Sequence, residues 1–159
     1  MADSDTVERV WELIDKIGIC MLVSRDGIDL RARPMAAFLD RDTHLIYFLT
    51  DAESHKDEEL ADDPHVAMAF ADTGSQAYLS VTGTAEVTND REKIRQLWST
   101  PAKAWWKSPD DPSIRVLKVT PKDAQYWDGP GTVASYIKMA AAAVSDARPD
   151  LGKNRKVDL

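Results

Sequence analysis

Ser54, His55 and Lys56 stand where an apolar run, His44 to Leu49, gives way to a polar stretch. The run reads as a buried strand that leaves through the hydroxyl of Thr50 and enters a short helix. A strand-end hydroxyl followed by serine and lysine at a helix opening makes an anion pocket. Free N–H groups and the positive dipole end of the helix face the anion, and the lysine adds a full charge. A second basic piece, Arg31-Ala32-Arg33-Pro34-Met35, lies on the preceding run, and two arginines at spacing two share one face of a strand. Guanidinium and ammonium donors converging from adjacent strands suit a phosphate monoester. Each group also has a plainer reading. Arg31 and Arg33 fit charges that guard an edge strand, Ser54 fits a helix N-cap, and Lys56 fits a solvated first turn. A lysine there opposes the helix dipole, however, and an anion would offset that.

The elements that would position these groups are short. Asp5 with Glu8 can form a capping box, and Val7, Val10, Trp11, Ile14 and Ile17 recur at helical spacing up to a stop at Gly18. Strands are predicted over Ile19–Ser24, Leu30–Phe38, His44–Thr50, Val66–Ala71 and Ala77–Val87. Two more are predicted over Ile114–Val119 and Ala124–Trp127. Arg25-Asp26-Gly27 is a hairpin turn, Pro34 marks an edge or bulge, and Gly83 marks a bulge or bend. Short helices fit Ser54–Asp62 and Asn89 or Asp90 to Trp98, and an alanine-rich one fits Val133–Val144. Trp105 and Trp106 lie in an irregular stretch. Residues 1–145 read as one domain and 146–159 as a polar tail, partly extended. Strands joined by short turns favour antiparallel pairing and a small β-barrel with peripheral helices over a doubly wound sheet.

The totals exclude several functions. The 159 residues carry a net charge of -7, which opposes general nucleic-acid binding and docking on anionic membranes. One cysteine, Cys20, permits neither an internal disulfide nor a cysteine zinc cluster. His44, His55 and His65 show no metal-ligand spacing. No apolar run is long enough to span a bilayer and the N-terminus is not signal-like, so a reducing cytoplasm is expected. No Gly-x-Ser-x-Gly elbow, paired carboxylate motif or G-x-G-x-x-G fingerprint is present.

The order of these pieces resembles a known family. Arg33-Pro34-Met35 is followed by Phe48-Leu49-Thr50-Asp51-Ala52-Glu53-Ser54-His55-Lys56 and Glu59-Leu60-Ala61-Asp62-Asp63-Pro64. A strand ending in Gly83 comes next, and then, much later, Ala124-Gln125-Tyr126-Trp127-Asp128-Gly129. Together they resemble the pyridoxamine 5′-phosphate oxidase-like FMN-binding split barrels, with the general stress protein 26 group the nearest. The resemblance implies a split β-barrel homodimer with FMN at the subunit interface. Arg33, Met35, Leu49 and Thr50 would contact the cofactor. Ser54, His55 and Lys56 would hold its phosphate, and Trp127 would reach the flavin from the other subunit.

Two departures narrow the expectation. The oxidases follow that tryptophan with an arginine and a histidine for the vitamin substrate, whereas this chain has Asp128-Gly129-Pro130-Gly131-Thr132. A glutamine of the oxidases is replaced by Tyr78. The resemblance therefore implies a flavoprotein without vitamin oxidase activity, which acts on an unknown small redox partner if it acts at all. A non-enzymatic flavin or redox-responsive stress protein stays open, as does a barrel for another planar anionic ligand such as a deazaflavin or haem. The residues do not decide the roles of Arg31, Tyr78, Trp105 and Trp106.

Overall fold

The computed structural model describes residues 4–54, 56–99, 101–129, 137, 139–143 and 152–159. Helix α1 (Ser4–Ile17) buries Val10, Trp11, Leu13 and Ile14, the apolar face set by its helical spacing. It stops at Gly18, whose φ of 75° suits glycine and whose N–H returns to the Ile14 carbonyl at 2.9 Å. The chain then forms β1 (Ile19–Asp26) and β2 (Asp29–Ala36), a hairpin turned at Gly27 with φ 64°. Next come β3 (Phe38–Asp40), β4 (Leu45–Asp51), a 3₁₀ turn Ala52–Ser54 and helix α2 (Lys56–Asp62). Strands β5 (His65–Asp72) and β6 (Ala77–Thr88) precede helix α3 (Arg91–Leu97). A 3₁₀ turn Pro101–Ala104, strand β7 (Ile114–Asp128) and strand β8 (Lys153–Asp158) complete the described chain.

The sheet order is β2-β1-β5-β6-β7-β4-β3, antiparallel at each pairing, with β8 added to β7. Strands β2 and β3 follow each other in the chain yet stand at opposite ends of this order. The single step between them, at Ala37, rolls the sheet onto itself and brings β2 across from β4. The result is a split barrel, closed by chain connectivity rather than by a continuous ladder. The main core fills it with Leu22, Phe48, Met68, Phe70, Leu79 and Leu117 and is roofed by α1. A second cluster, Tyr47, Ile94, Ile114 and Val116, sits beneath α3.

The structure differs from expectation at four places. The strand predicted over Leu30–Phe38 divides at Ala37, whose N–H is taken by the Gly18 carbonyl at 2.7 Å as the chain crosses from one sheet edge to the other. The two strands expected over Ile114–Val119 and Ala124–Trp127 are one strand of 15 residues. Its apparent break, Thr120-Pro121-Lys122-Asp123, is a register shift opposite Thr82 and Gly83 that absorbs the proline without ending the ladder. The stretch beyond residue 146, expected to be polar and partly extended, is extended over Lys153–Asp158 but also pairs with β7, because Val157 drops into the core at 3% exposure. Its charged neighbours hide that alternation from a sequence reader. Ser54 closes the 3₁₀ turn before α2, whereas the helix was expected to run from Ser54 to Asp62. The helix expected over Val133–Val144 lies largely outside the described residues, of which 139–143 are helical.

Candidate functional site

A pocket of about 500 Å³ opens in the split between β2 and β4. Its walls are Arg33, Pro34, Met35 and Ala36 from β2, and Leu49, Thr50 and Asp51 from β4, together with Phe38. The segment after α3 closes one side with Ser99, Ala102, Trp105 and Trp106. Four of the residues singled out from the sequence, Arg33, Met35, Leu49 and Thr50, thus come from two strands to one cavity. The volume lies in the usual range of small-molecule and cofactor sites, about 300–1,000 Å³. The walls combine apolar surface with a guanidinium, a carboxylate and hydroxyls, a set suited to a planar ligand with a polar edge.

Arg33 reaches this pocket as a paired cation. Its Nη1 donates to the Ser24 hydroxyl at 2.6 Å and its Nη2 to Glu59 Oε2 at 3.3 Å. Ser24 in turn donates to the same Glu59 oxygen at 2.8 Å. Ser24 is buried at 3% exposure, and the Arg33 and Glu59 side chains are 23% and 16% exposed. The triad ties β1, β2 and α2 together and fixes the guanidinium plane. Sequence reasoning missed Ser24 and Glu59. The signal was a serine continuing the inward alternation of Cys20 and Leu22 on β1, which could not be matched to β2 until the hairpin register placed Ser24 across from Arg31. Arg31 takes the plainer role: it is exposed and pairs with Asp26 at 3.3 Å at the hairpin end.

The triplet Ser54-His55-Lys56, expected to hold a phosphate, is described only in part. Ser54 ends its 3₁₀ turn and Lys56 begins α2. His55 lies outside the described residues, as do the side chains of Ser54 and Lys56. Among the described residues no group of histidine, cysteine and carboxylate side chains is placed to hold a metal ion.

Trp127 stands apart from the pocket of its own chain. It lies on the outer face of the sheet at 39% exposure, beside Tyr78 at 37%, its cross-strand partner. The next residue, Asp128, accepts a two-pronged bond from Arg9 of α1, Nε at 2.7 Å and Nη2 at 2.9 Å. That bond raises the Arg9 guanidinium above its ordinary value, against the lowering effect of its own burial. On the β1 and β5 side of Tyr78 and Trp127 the outward positions carry no charge, whereas toward β8 the exposed Lys156 opposes Gln125. Ala71 opposes Tyr78, Ser80 opposes Gln125 and Ala69, and Met21 opposes Ala69 and Pro34.

The segment carrying the two tryptophans is stitched down at its far end. Arg91 donates to the carbonyls of Pro109, Asp111 and Ile114 at 2.9, 2.8 and 3.2 Å. The N–H and hydroxyl of Ser113 hold the Asp111 carboxyl below the usual range. The Ser113 carbonyl accepts the Ala52 N–H at 2.7 Å, locking the segment to the exit of β4. Asp90 caps α3 by accepting the Lys93 N–H at 3.1 Å, as its sequence position predicts.

An antiparallel split barrel with a cleft between β2 and β4 defines a class of small β-barrel proteins. The family model described as "Pyridoxamine 5'-phosphate oxidase like" matches residues 5–150, and the chain belongs to that family. It is 29% identical over 126 residues to general stress protein 26 of Bacillus subtilis, spanning 77% of this chain and 89% of that one. A crystal structure described as a general stress protein 26 of Jannaschia sp. CCS1 superposes with a TM-score of 0.79 at 27% identity. It covers 99% of this chain and 100% of its own. The general stress FMN/FAD binding protein of Xanthomonas citri superposes with a TM-score of 0.69 at 26% identity, over 79% of this chain and 90% of its own. No helix among the described residues is long and apolar enough to cross a membrane.

Proposed function

We propose that this chain binds FMN in the β2–β4 cleft. The observation that carries the reading is the convergence of Arg33, Met35, Leu49 and Thr50 on one pocket at the split of the barrel. The name of the Xanthomonas citri relative supports it. Bound flavin would supply the redox chemistry; the chain binds it, orients it and limits access. The physiological partner is a small electron donor or acceptor in the cytoplasm, a location favoured by the buried free thiol of Cys20. The test is an absorption spectrum of the purified protein and a titration with FMN and riboflavin. FMN binds more tightly, and Lys56→Ala weakens FMN far more than riboflavin. Equal loss for both would remove Lys56 from the phosphate site. A bound deazaflavin or haem spectrum would replace flavin altogether.

The same reading makes the protein a homodimer. The outer face around Met21, Ala69, Tyr78 and Trp127, uncharged as far as Lys156 at its β8 rim, suits burial against a second copy, and stable subunit interfaces tend to be large with an apolar centre and a polar rim. Trp127, remote from its own pocket's lining, would then serve the pocket of the partner subunit. Light scattering at micromolar concentration gives twice the chain mass; a monomer that retains FMN would refute the two-subunit site. Vitamin oxidase activity is not expected. Asp128 stands where the resemblance would need a basic clamp, and it is held by Arg9. Arg115 is spent on the carbonyls of Pro112 and Ile114, and Lys118 pairs with Glu86. Formation of pyridoxal 5′-phosphate by FMN-loaded protein at roughly 10 per second, an ordinary enzyme rate, would overturn that statement.

A further inference from the structure

Two features of the segment between α3 and β7 stay unexplained by folding alone. Trp105 lines the pocket yet is 81% exposed, although an indole left in water forgoes the large apolar burial that tryptophan offers. Its neighbour shows the ordinary alternative. Trp106 is half-buried, packs against the cluster beneath α3, and donates its indole N–H to Asp51 at 3.4 Å. Both backbone N–H groups, of Trp105 and Trp106, return to the Ala102 carbonyl at 3.0 Å, so one fixed turn sends one indole inward and leaves the other bare. The second feature is the Ser99 hydroxyl. In its present rotamer it has no water-accessible surface and no hydrogen-bond partner among the described residues, but its residue lines the same pocket, so a turn about χ1 would bring it to a ligand there. An orphaned buried hydroxyl costs free energy unless something arrives to use it.

We propose that Ser99 and Trp105 are the chain's own contacts to the ring system of the bound flavin, Trp105 by stacking on the ring and Ser99 by hydrogen bonding to its polar edge. A heteroaromatic ring with nitrogen and oxygen atoms on one side meets both needs at once, and a hydroxyl can donate or accept there. An aliphatic ligand could meet the hydroxyl but would not stack on the indole. The proposal rests on the flavin reading above and extends it, because it makes the ring contacts local to this chain as well as expected from Trp127 of a second copy. Rigidity favours it: the segment is anchored by Arg91, by Ser113 and by the Trp106–Asp51 contact, so stacking on Trp105 orders little that is free.

The experiment compares FMN and riboflavin binding in the wild-type protein, Trp105→Ala and Ser99→Ala, by flavin fluorescence. Trp105→Ala weakens both ligands by about tenfold and relieves quenching of the bound flavin. Ser99→Ala weakens both by about fivefold while leaving the thermal stability of the ligand-free protein unchanged or raised. Both variants keep the fold, since one removes an exposed side chain and the other an unpartnered hydroxyl. Affinity and fluorescence within twofold of wild type in both variants would overturn the ring assignment while leaving the flavin reading intact. So would a loss confined to FMN, which would place the segment at the phosphate. A shift from dimer to monomer with flavin affinity per site unchanged would make Trp105 a subunit contact and overturn it too. A wild-type protein that takes up neither flavin would overturn both readings.

Discussion

Glu59→Ala removes the acceptor on which the Arg33 triad is built, and the loss can be worked from three distances. The Ser24–Glu59 bond at 2.8 Å is short and its acceptor is ionised, and Ser24 is buried. Such a bond contributes about 1.5–3 kcal/mol in a buried setting. The Arg33–Glu59 contact at 3.3 Å is longer, and both side chains keep some solvent, 23% and 16% exposed. Screening therefore leaves it about 0.5 kcal/mol. A loss of about 2 kcal/mol is expected, well under the 3–5 kcal/mol for breaking a fully buried pair. For a chain of this size that is a fall in Tm of roughly 4–8 °C. Ser24→Ala removes the Ser24–Glu59 bond and the Arg33–Ser24 bond at 2.6 Å, and with Arg33 and Glu59 still in direct contact it should cost a comparable ~2 kcal/mol. The two losses must couple, since Ser24 accepts from one partner and donates to the other. Urea or thermal unfolding of both single variants and the double variant measures that coupling. Losses that simply add, within about 0.3–0.5 kcal/mol, would show that the three side chains do not act as a unit. Arg33 would then have to be fixed by something other than this triad.

Three further outcomes follow from other parts of the molecule. A Cβ on Gly83 would meet the Thr120 carbonyl oxygen at 2.3 Å and Pro121 Cα at 3.0 Å, so Gly83→Ala must part β6 from β7 and should cost about 3 kcal/mol in urea unfolding; a neutral substitution would show that the bulge relaxes freely. Burial pushes the Cys20 thiol up to about 12, so a thiol reagent at neutral pH should modify it only after unfolding, and rapid labelling of native protein would refute its burial. The Ser75 hydroxyl and N–H hold Asp72 below the usual carboxylate value. Its folded value is depressed, so its contribution is present above about 3.9 and lost as pH falls through the lower folded value. Asp72→Asn should therefore flatten the acid limb of a stability profile below that pH, and an unchanged slope would refute the sign.

Much of this was legible in the chain because local rules suffice for it. The first helix, the Gly18 stop, the Gly27 hairpin, the Gly83 bulge and the Asp90 cap each depend on a few adjacent residues. The division of the second strand at Ala37 was not legible, because it depends on which edge each half pairs with. Nothing near Ala37 announces that Met35 faces β1 while Phe38 faces β4. Strand β8 was hidden for a related reason: Val157 is one buried residue among charged neighbours, and its pairing with Ala124 is 33 positions away in the chain. In the site, Arg33, Met35, Leu49 and Thr50 carried sequence signals. Ser99 carried none and Trp105 stood out only as an aromatic without a role, since what marks them is a missing partner and an unused surface. Those properties exist only after folding.

Local charge explains how an acidic chain can still be read as a receptor for an anion. A net charge of -7 means the surface as a whole repels a phosphate at a distance. Arg33 does little to reverse this, because Glu59 lies 3.3 Å from its guanidinium and cancels much of its far field. What survives cancellation is short-ranged and directional: the guanidinium N–H groups not given to Ser24 and Glu59, held in a plane the triad fixes. Such a site discriminates by geometry at contact rather than by attraction from afar. It also sits where the barrel is split, and that location has a structural cause. Strands β2 and β4 face each other there without a ladder between them, so the closure of the sheet leaves a gap instead of a hydrogen-bonded seam. The step at Ala37 that closes the barrel is thus the same step that opens the pocket.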